Sequence, residues 1–362
     1  MIYENSKEPF PAGFPYLLVY APSLGLECVG PKIFLMTFSK VFINDVGRLR
    51  SGWRASIFVL GFIAAIILIT NVLRIGYALF HSVLPQLPYA AALEDLVSRV
   101  ALIIASLGVG YLCARFLEGL PWRSLGLTLH GGWFRDFLIG SGVGIISLAI
   151  AVLIAVGGKG IRLSLTTTPV PAVTKTLIGT LIIFVIAALA EEAMFRTYLL
   201  QTLTRAHLAW LAILLTSLPF ATVHLGNPNV VPGVTFANTA LAGVWLAVAY
   251  LRTRSLWLPL GVHWSWNWAL GSLFGLPVSG MRIGSHSLLV GTDVGPAWLT
   301  GGSYGIEGGV ACTVALILST LFLWRAPWLS ATPELKKLTS QENPVVHKPA
   351  ISIVPAAETI ET

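Results

Sequence analysis

The stretch LIGTLIIFVIAALAEEAMFRTYL, residues 177–199, decides how this sequence is to be read. Its first fourteen residues carry no charge; then come Glu191 and Glu192, with Arg196 one helical turn later. A run this apolar belongs in lipid. One acidic side chain near the middle of a bilayer costs roughly 2.5–3.5 kcal/mol on insertion scales, so two adjacent carboxylates need a task that repays the cost.

The rest of the chain supports a lipid setting. Charged residues make up only 11% of the 362, against about 25% in soluble domains. The net charge of +7 does not point to nucleic acid, because the bases lie between apolar runs and not along one face. Cys28, Cys113 and Cys312 are too few and too scattered for a disulfide framework or a zinc cluster, and read as small apolar fillers. Residues 1–35 have mixed charge and prolines 11, 15, 22 and 31, unlike a cleavable signal peptide. They are expected to be an extension from an upstream start, with Met36 opening a basic lead-in to the first span.

A spanning helix needs about 20 mostly apolar residues. By that measure eight spans are expected, near 55–80, 99–117, 137–157, 177–199, 208–225, 234–251, 256–275 and 308–325. The predicted fold class is therefore all-α, a polytopic transmembrane helical bundle. Residues 1–54 would form an N-terminal cytoplasmic segment, 55–325 the bundle, and 326–362 a solvated cytoplasmic tail. Residues 276–306, rich in Gly and Ser, would form the longest internal loop. Eight spans put both termini on one side, and Lys and Arg then divide seventeen to five in favour of that side. The bias predicts that both termini are cytoplasmic, in a bacterial plasma membrane.

Glu191 and Glu192 point about 100° apart on a helix. Glu192 and Arg196, four apart, share a face in the order that favours an ion pair, which leaves Glu191 to face a water. Partners come from LPFATVHLGNP (218–228), where Phe220 and His224 are four apart. Others come from LPLGVHWSWNW (258–268), where His263 and Asn267 repeat the spacing. Ionisable groups in apolar spans usually face an interior cavity. One carboxylate, two imidazoles and an amide can hold and deprotonate a water, with Glu191 as general base and the others holding water or an oxyanion. Helix rise tests whether they meet. With a turn near His207, Glu191 and His224 both lie about 24 Å from it, while His263 is only roughly 11 Å past the turn at 252–255. The depths agree if helices four and five project into the cytoplasm by about two turns, or if a re-entrant segment forms near residues 225–233.

Each piece also has a plainer reading. A Glu–Arg pair can be a clamp or proton relay, a lone His a packing residue, and Asn267 an interhelical hydrogen bond. Trp264, Trp266 and Trp268 read as an interfacial aromatic belt. The alternatives at the level of function are a bacteriocin-immunity or scaffold protein and a proton-coupled transporter. A transporter would favour polar, broken helices in both halves, and here they occupy one half only.

In order, Glu-Glu-x-x-x-Arg, Phe-x-x-x-His and His-x-x-x-Asn resemble the motifs of the CAAX protease and bacteriocin-processing family of intramembrane endopeptidases, also called the Abi family. The resemblance covers about residues 175–275, the expected catalytic core. It implies hydrolysis of a peptide bond in a membrane-associated or prenylated protein or peptide. Glu191 would activate water, His224 and His263 would complete the site, and Asn267 would stabilise the oxyanion; Glu192, Arg196 and Phe220 would support them. Enzymes of this family are commonly called metallo, and Glu191, His224 and His263 could hold zinc with an open fourth position. Neither His belongs to an HExxH pair, however, and Asn267 suits an oxyanion donor better than a ligand. Weak or absent stoichiometric metal is the expectation.

Overall fold

The computed structural model describes residues 40–44, 47–83 and 91–340. The expected extension at 1–35, with Cys28, and the tail beyond 340 lie outside the described residues. The chain from Ile43 onward forms one compact unit, which holds every element below.

That unit is a helical bundle. In chain order come α1 (Ser51–Val83), α2 (Ala91–Glu118), α3 (Trp133–Gly157), strand β1 (Ile161–Leu165), α4 (Val170–Arg196) and α5 (Tyr198–Arg205). Then follow α6 (Ala209–His224), α7 (Val234–Thr253), α8 (Trp257–Trp268), β2 (Leu289–Asp293), α9 (Ala297–Thr300), α10 (Val310–Arg325) and α11 (Pro333–Thr339). Among the described residues, five stretches are long and apolar enough to cross a membrane: Ser51–Phe80, Glu94–Glu118, Trp133–Gly157, Val170–Arg205 and Val234–Thr253. The protein is thus an all-α, polytopic membrane bundle.

Three of the eight expected spans are shorter than a bilayer requires. Helices α6 and α10 have 16 residues each, and α8 has 12 before a π-helical turn at Ala269–Leu273. Helix α8 is apolar because protein surrounds it: every residue from Leu258 to Trp266 is buried. Composition alone does not separate a helix buried in protein from one bathed in lipid. The same confusion explains the tryptophans, which are no interfacial belt. Their indole N–H groups donate inward, Trp264 to Ser141 Oγ, Trp266 to Glu307 Oε1 and Trp268 to the Leu177 carbonyl. The start of the expected solvated tail is also packed, with Leu329 buried and Leu335 of α11 buried as well.

What fixes α8 is its seam with α3. A Cβ on Gly140 would stand 2.2 Å from the Leu258 carbonyl oxygen, and one on Gly261 would stand 2.2 Å from that of Phe137. The two backbones touch where side chains normally intervene, as small residues allow in membrane bundles. Ser265 Oγ donates across the seam to the Ser141 carbonyl at 2.9 Å. The α7–α8 turn is held from below, where Leu256 N donates to Gly126 O and Trp257 Nε1 to Thr128 O.

Two further ties close the bundle. Buried Glu118 at the end of α2 bridges Arg54 of α1 at 2.6 Å and takes two bonds from Arg205 of α5, at 2.9 and 2.8 Å. Strands β1 and β2 pair antiparallel, with Ile161 opposite Asp293 and Leu165 opposite Leu289, and so order part of the expected 276–306 loop. Otherwise α1 stands largely free, with 6% of its most apolar window buried.

The seam makes a sharp prediction. Gly261→Ala forces a methyl into a backbone carbonyl, and overpacking of this kind costs about 1–3 kcal/mol. The thermal unfolding midpoint in detergent should fall by several degrees; an unchanged midpoint would show that the close approach does not exist.

Candidate active site

The site is assembled from three helices. Glu191 and Glu192 sit in the penultimate turn of α4, His224 ends α6, and His263 lies mid-way along α8. Glu191 nonetheless lies beside both His224 and His263, and α4 does not run on to the turn at His207. It stops at Arg196, Thr197 takes φ −75° and ψ −101°, and the chain restarts as the separate helix α5. His207 does make the turn, with φ 60°.

Glu192 is the hub. Its Oε1 lies 3.3 Å from Arg196 Nη1 and accepts from His263 Nδ1 at 2.8 Å, in surroundings that leave both acidic and basic side chains fully buried. Arg196 Nη2 donates to the Gly243 carbonyl at 3.3 Å, and the guanidinium lies 4.7 Å from the centroid of Phe220. Cation–π contact of this sort is strongest when desolvated. Phe220 also touches both imidazoles, with centroids 4.6 Å from His224 and 6.1 Å from His263. Its ring is the wedge that spaces the cluster.

The partners of the imidazoles set their tautomers. His224 Nδ1 faces the Phe220 carbonyl at 2.6 Å, and a carbonyl only accepts, so Nδ1 carries the hydrogen. His263 Nδ1 faces the Glu192 carboxylate and is assigned likewise. Each ring, when neutral, therefore turns an Nε2 lone pair toward Glu191, whose Oε2 is 3.9 Å from His224 and 3.7 Å from His263. That Oε2 is buried and has no hydrogen-bond partner among the described residues. Three electron-rich atoms facing one another call for a proton donor among them.

A zinc ion held by two imidazoles and a carboxylate at about 2.0–2.1 Å keeps tetrahedral ligand atoms roughly 3.3 Å apart. The separations here are wider. Among the described residues no group of three or more His, Cys, Asp or Glu is disposed to hold a metal ion. The residues as placed do not fit zinc.

Glu191, His224, His263, Asn267 and Phe220 all line one cavity of about 1100 Å³. Asn267 does so without a hydrogen bond to the other three polar groups. One wall is apolar and is built by α1, α2 and α4 through residues such as Phe62, Leu102 and Ile183. Residues 173–269, which carry all three motifs, match the family model described as Rce1-like, type II CAAX prenyl endopeptidase Rce1-like. This segment is similar to that family. The match covers the three motifs and leaves the rest of the chain unmatched. Among curated proteins, none matches the chain.

One wall residue escaped the sequence reading. Glu307, just ahead of α10, lines the same cavity and accepts from Trp266 and Ser279. Burial pushes its carboxyl above the usual range, against the pull of those hydrogen bonds and of His224. The available signal was a lone acid in YGIEGGV (304–310), directly before an apolar helix.

Removing the hub should be worse for folding than removing the base. Glu192→Ala leaves Arg196 buried without its counter-charge, a change that typically costs about 3–5 kcal/mol. Glu191→Ala, at a partly exposed position, should cost far less. Equal melting temperatures for the two variants would refute the hub.

Proposed function

We propose that this protein is an intramembrane endopeptidase that cleaves a membrane-associated or prenylated, CAAX-like protein through a water activated by Glu191. The observation that carries this reading is the convergence of His224 Nε2 and His263 Nε2 on the unpartnered Oε2 of Glu191.

A water about 2.8 Å from Glu191 Oε2 and from one imidazole Nε2 can donate one hydrogen to each. Its two lone pairs are then free, and one points into the cavity. Glu191 takes the proton as the oxygen attacks the carbonyl carbon, and later returns it to the leaving nitrogen. Glu192 and the Phe220 carbonyl hold the two rings so that Nε2 stays available. Asn267 on the cavity wall is the donor assigned to the carbonyl oxygen as it becomes negative. The apolar wall is suited to an aliphatic chain entering from lipid. The bundle comprises residues 55–325, both termini lie in the cytoplasm, and the setting is a bacterial plasma membrane.

Glu191→Gln keeps the shape and removes the proton acceptor, so turnover of a prenylated peptide should fall by about 10²–10⁴. His224→Ala and His263→Ala should be comparably damaging, and Asn267→Ala less so. Near-normal cleavage by folded Glu191→Gln protein would sink the mechanism and favour a scaffold or immunity role.

Topology offers a separate check. Cysteines introduced at Ser285 and Ser303 should react with an impermeant reagent added outside intact cells, and one at Ser330 should not. Labelling of Ser330 from outside would reverse the orientation.

A further inference from the structure

Two charges stand in the apolar wall of the cavity, Asp95 and Arg99 on successive turns of α2. Arg99 Nε donates to Asp95 Oδ2 at 2.7 Å, and the two side chains are 24% and 55% exposed, base and acid respectively. An exposed pair four apart on one helix contributes little to stability. Charge within a membrane span, by contrast, ordinarily marks a ligand path or a water-filled cavity. The bond also leaves capacity unused. Among the described residues, neither Nη of Arg99 nor Oδ1 of Asp95 makes a further hydrogen bond.

Depth along the helices says what reaches the pair. Glu118 ends both α2 and its apolar span, and is fixed between Arg54 and Arg205. Arg99 precedes Glu118 by 19 residues, roughly 28 Å of helix. The hydrocarbon layer is roughly 30 Å thick. With the Glu118 clamp at one boundary, the pair lies at the opposite one, level with lipid headgroups. Glu191 precedes Arg205 by 14 residues, so it stands at most about 21 Å from the clamp. The pair is therefore at least about 7 Å farther out than the carboxylate. Between them runs an apolar slot lined by Phe62 and Ile66 of α1, Leu102 of α2 and Ile183 of α4. Ile183 is 45% exposed, which leaves the slot open sideways to the bilayer.

A molecule that fits both parts has a head of mixed charge and an aliphatic chain. The guanidinium offers a planar fork to phosphate oxygens, and the free carboxylate oxygen suits a primary ammonium with its three donors. An acid–base pair of no net charge matches a zwitterion, because Asp95 repels a bare anion. We propose that Asp95, Arg99 and the slot below them bind one phospholipid with an ethanolamine headgroup. Its phosphate lies on the Arg99 Nη groups, its ammonium on Asp95 Oδ1, and one acyl chain runs past Leu102 toward Glu191. The bound chain closes the lateral side of the cavity. Such binding requires only the membrane bundle and is independent of hydrolysis.

Native mass spectrometry of the detergent-purified full-length protein reads this occupancy directly. Titration with dioleoyl phosphoethanolamine, phosphocholine and phosphoglycerol varies the head and keeps the chains constant. The ethanolamine lipid should bind at least about fivefold tighter than the choline lipid, whose methyl groups remove the ammonium's donors. Arg99→Gln should weaken the ethanolamine lipid about tenfold, through loss of a charged bidentate contact. Asp95→Asn should bring the ethanolamine and choline lipids level while keeping the phosphate contact. Both side chains are partly exposed, so neither change empties the core. Leu102→Trp, which fills the slot and leaves the head alone, should lower occupancy by all three lipids. Equal binding of ethanolamine and choline lipids to the unaltered protein would overturn the site, as would binding indifferent to Arg99→Gln or to Leu102→Trp. A preference for the phosphoglycerol lipid would also overturn it, by replacing the zwitterion with a bare anion.

Discussion

The buried chain Arg196–Glu192–His263 is the constraint on which the site depends. Lipid-facing helices have little hydrophobic reason to choose one neighbour over another, because lipid tails are as apolar as leucine. A carboxylate that would be intolerable alone becomes tolerable only where a guanidinium and an imidazole meet it. That requirement sets the rotation of α4 against α8. The guanidinium then reaches the Gly243 carbonyl of α7 and lies over Phe220 of α6. Four helices are thereby registered around one charge, and Glu191, next in sequence, is turned toward the cavity.

This arrangement also separates two jobs that a sequence places side by side. Glu192 is fully buried and meets Arg196 and His263 through its Oε1, whereas Glu191 turns its Oε2 toward the two imidazole Nε2 atoms. Helical geometry made that division readable from the sequence, since neighbours point about 100° apart and residues four apart share a face. The pairing of Glu192 with Arg196 and the approach of His224 and His263 to Glu191 follow the sequence reading closely. The hydrogen bond from His263 to Glu192 does not, because it depends on how α8 is rotated by its glycine seam with α3.

Other features lay beyond pattern and spacing. Apolar windows cannot tell protein surroundings from lipid, which is why α8 and its tryptophans read as a span with an interfacial belt. The break at Thr197 that ends α4 carries no Pro or Gly to announce it. Glu307 was hidden by distance, standing 116 positions from Glu191 in sequence and in a loop whose packing against Trp266 only the fold defines.

Helix α1 has a bearing on the membrane itself. Its 33 residues extend about 50 Å, well beyond the roughly 30 Å of hydrocarbon in a typical bilayer. A helix with that mismatch tilts or protrudes, and outside its first turns little protein holds it. Phe62 and Ile66 of this helix form part of the cavity wall. The thickness of the surrounding lipid therefore acts on the width of the reaction chamber, making the bilayer a mechanical component of the site as well as its solvent.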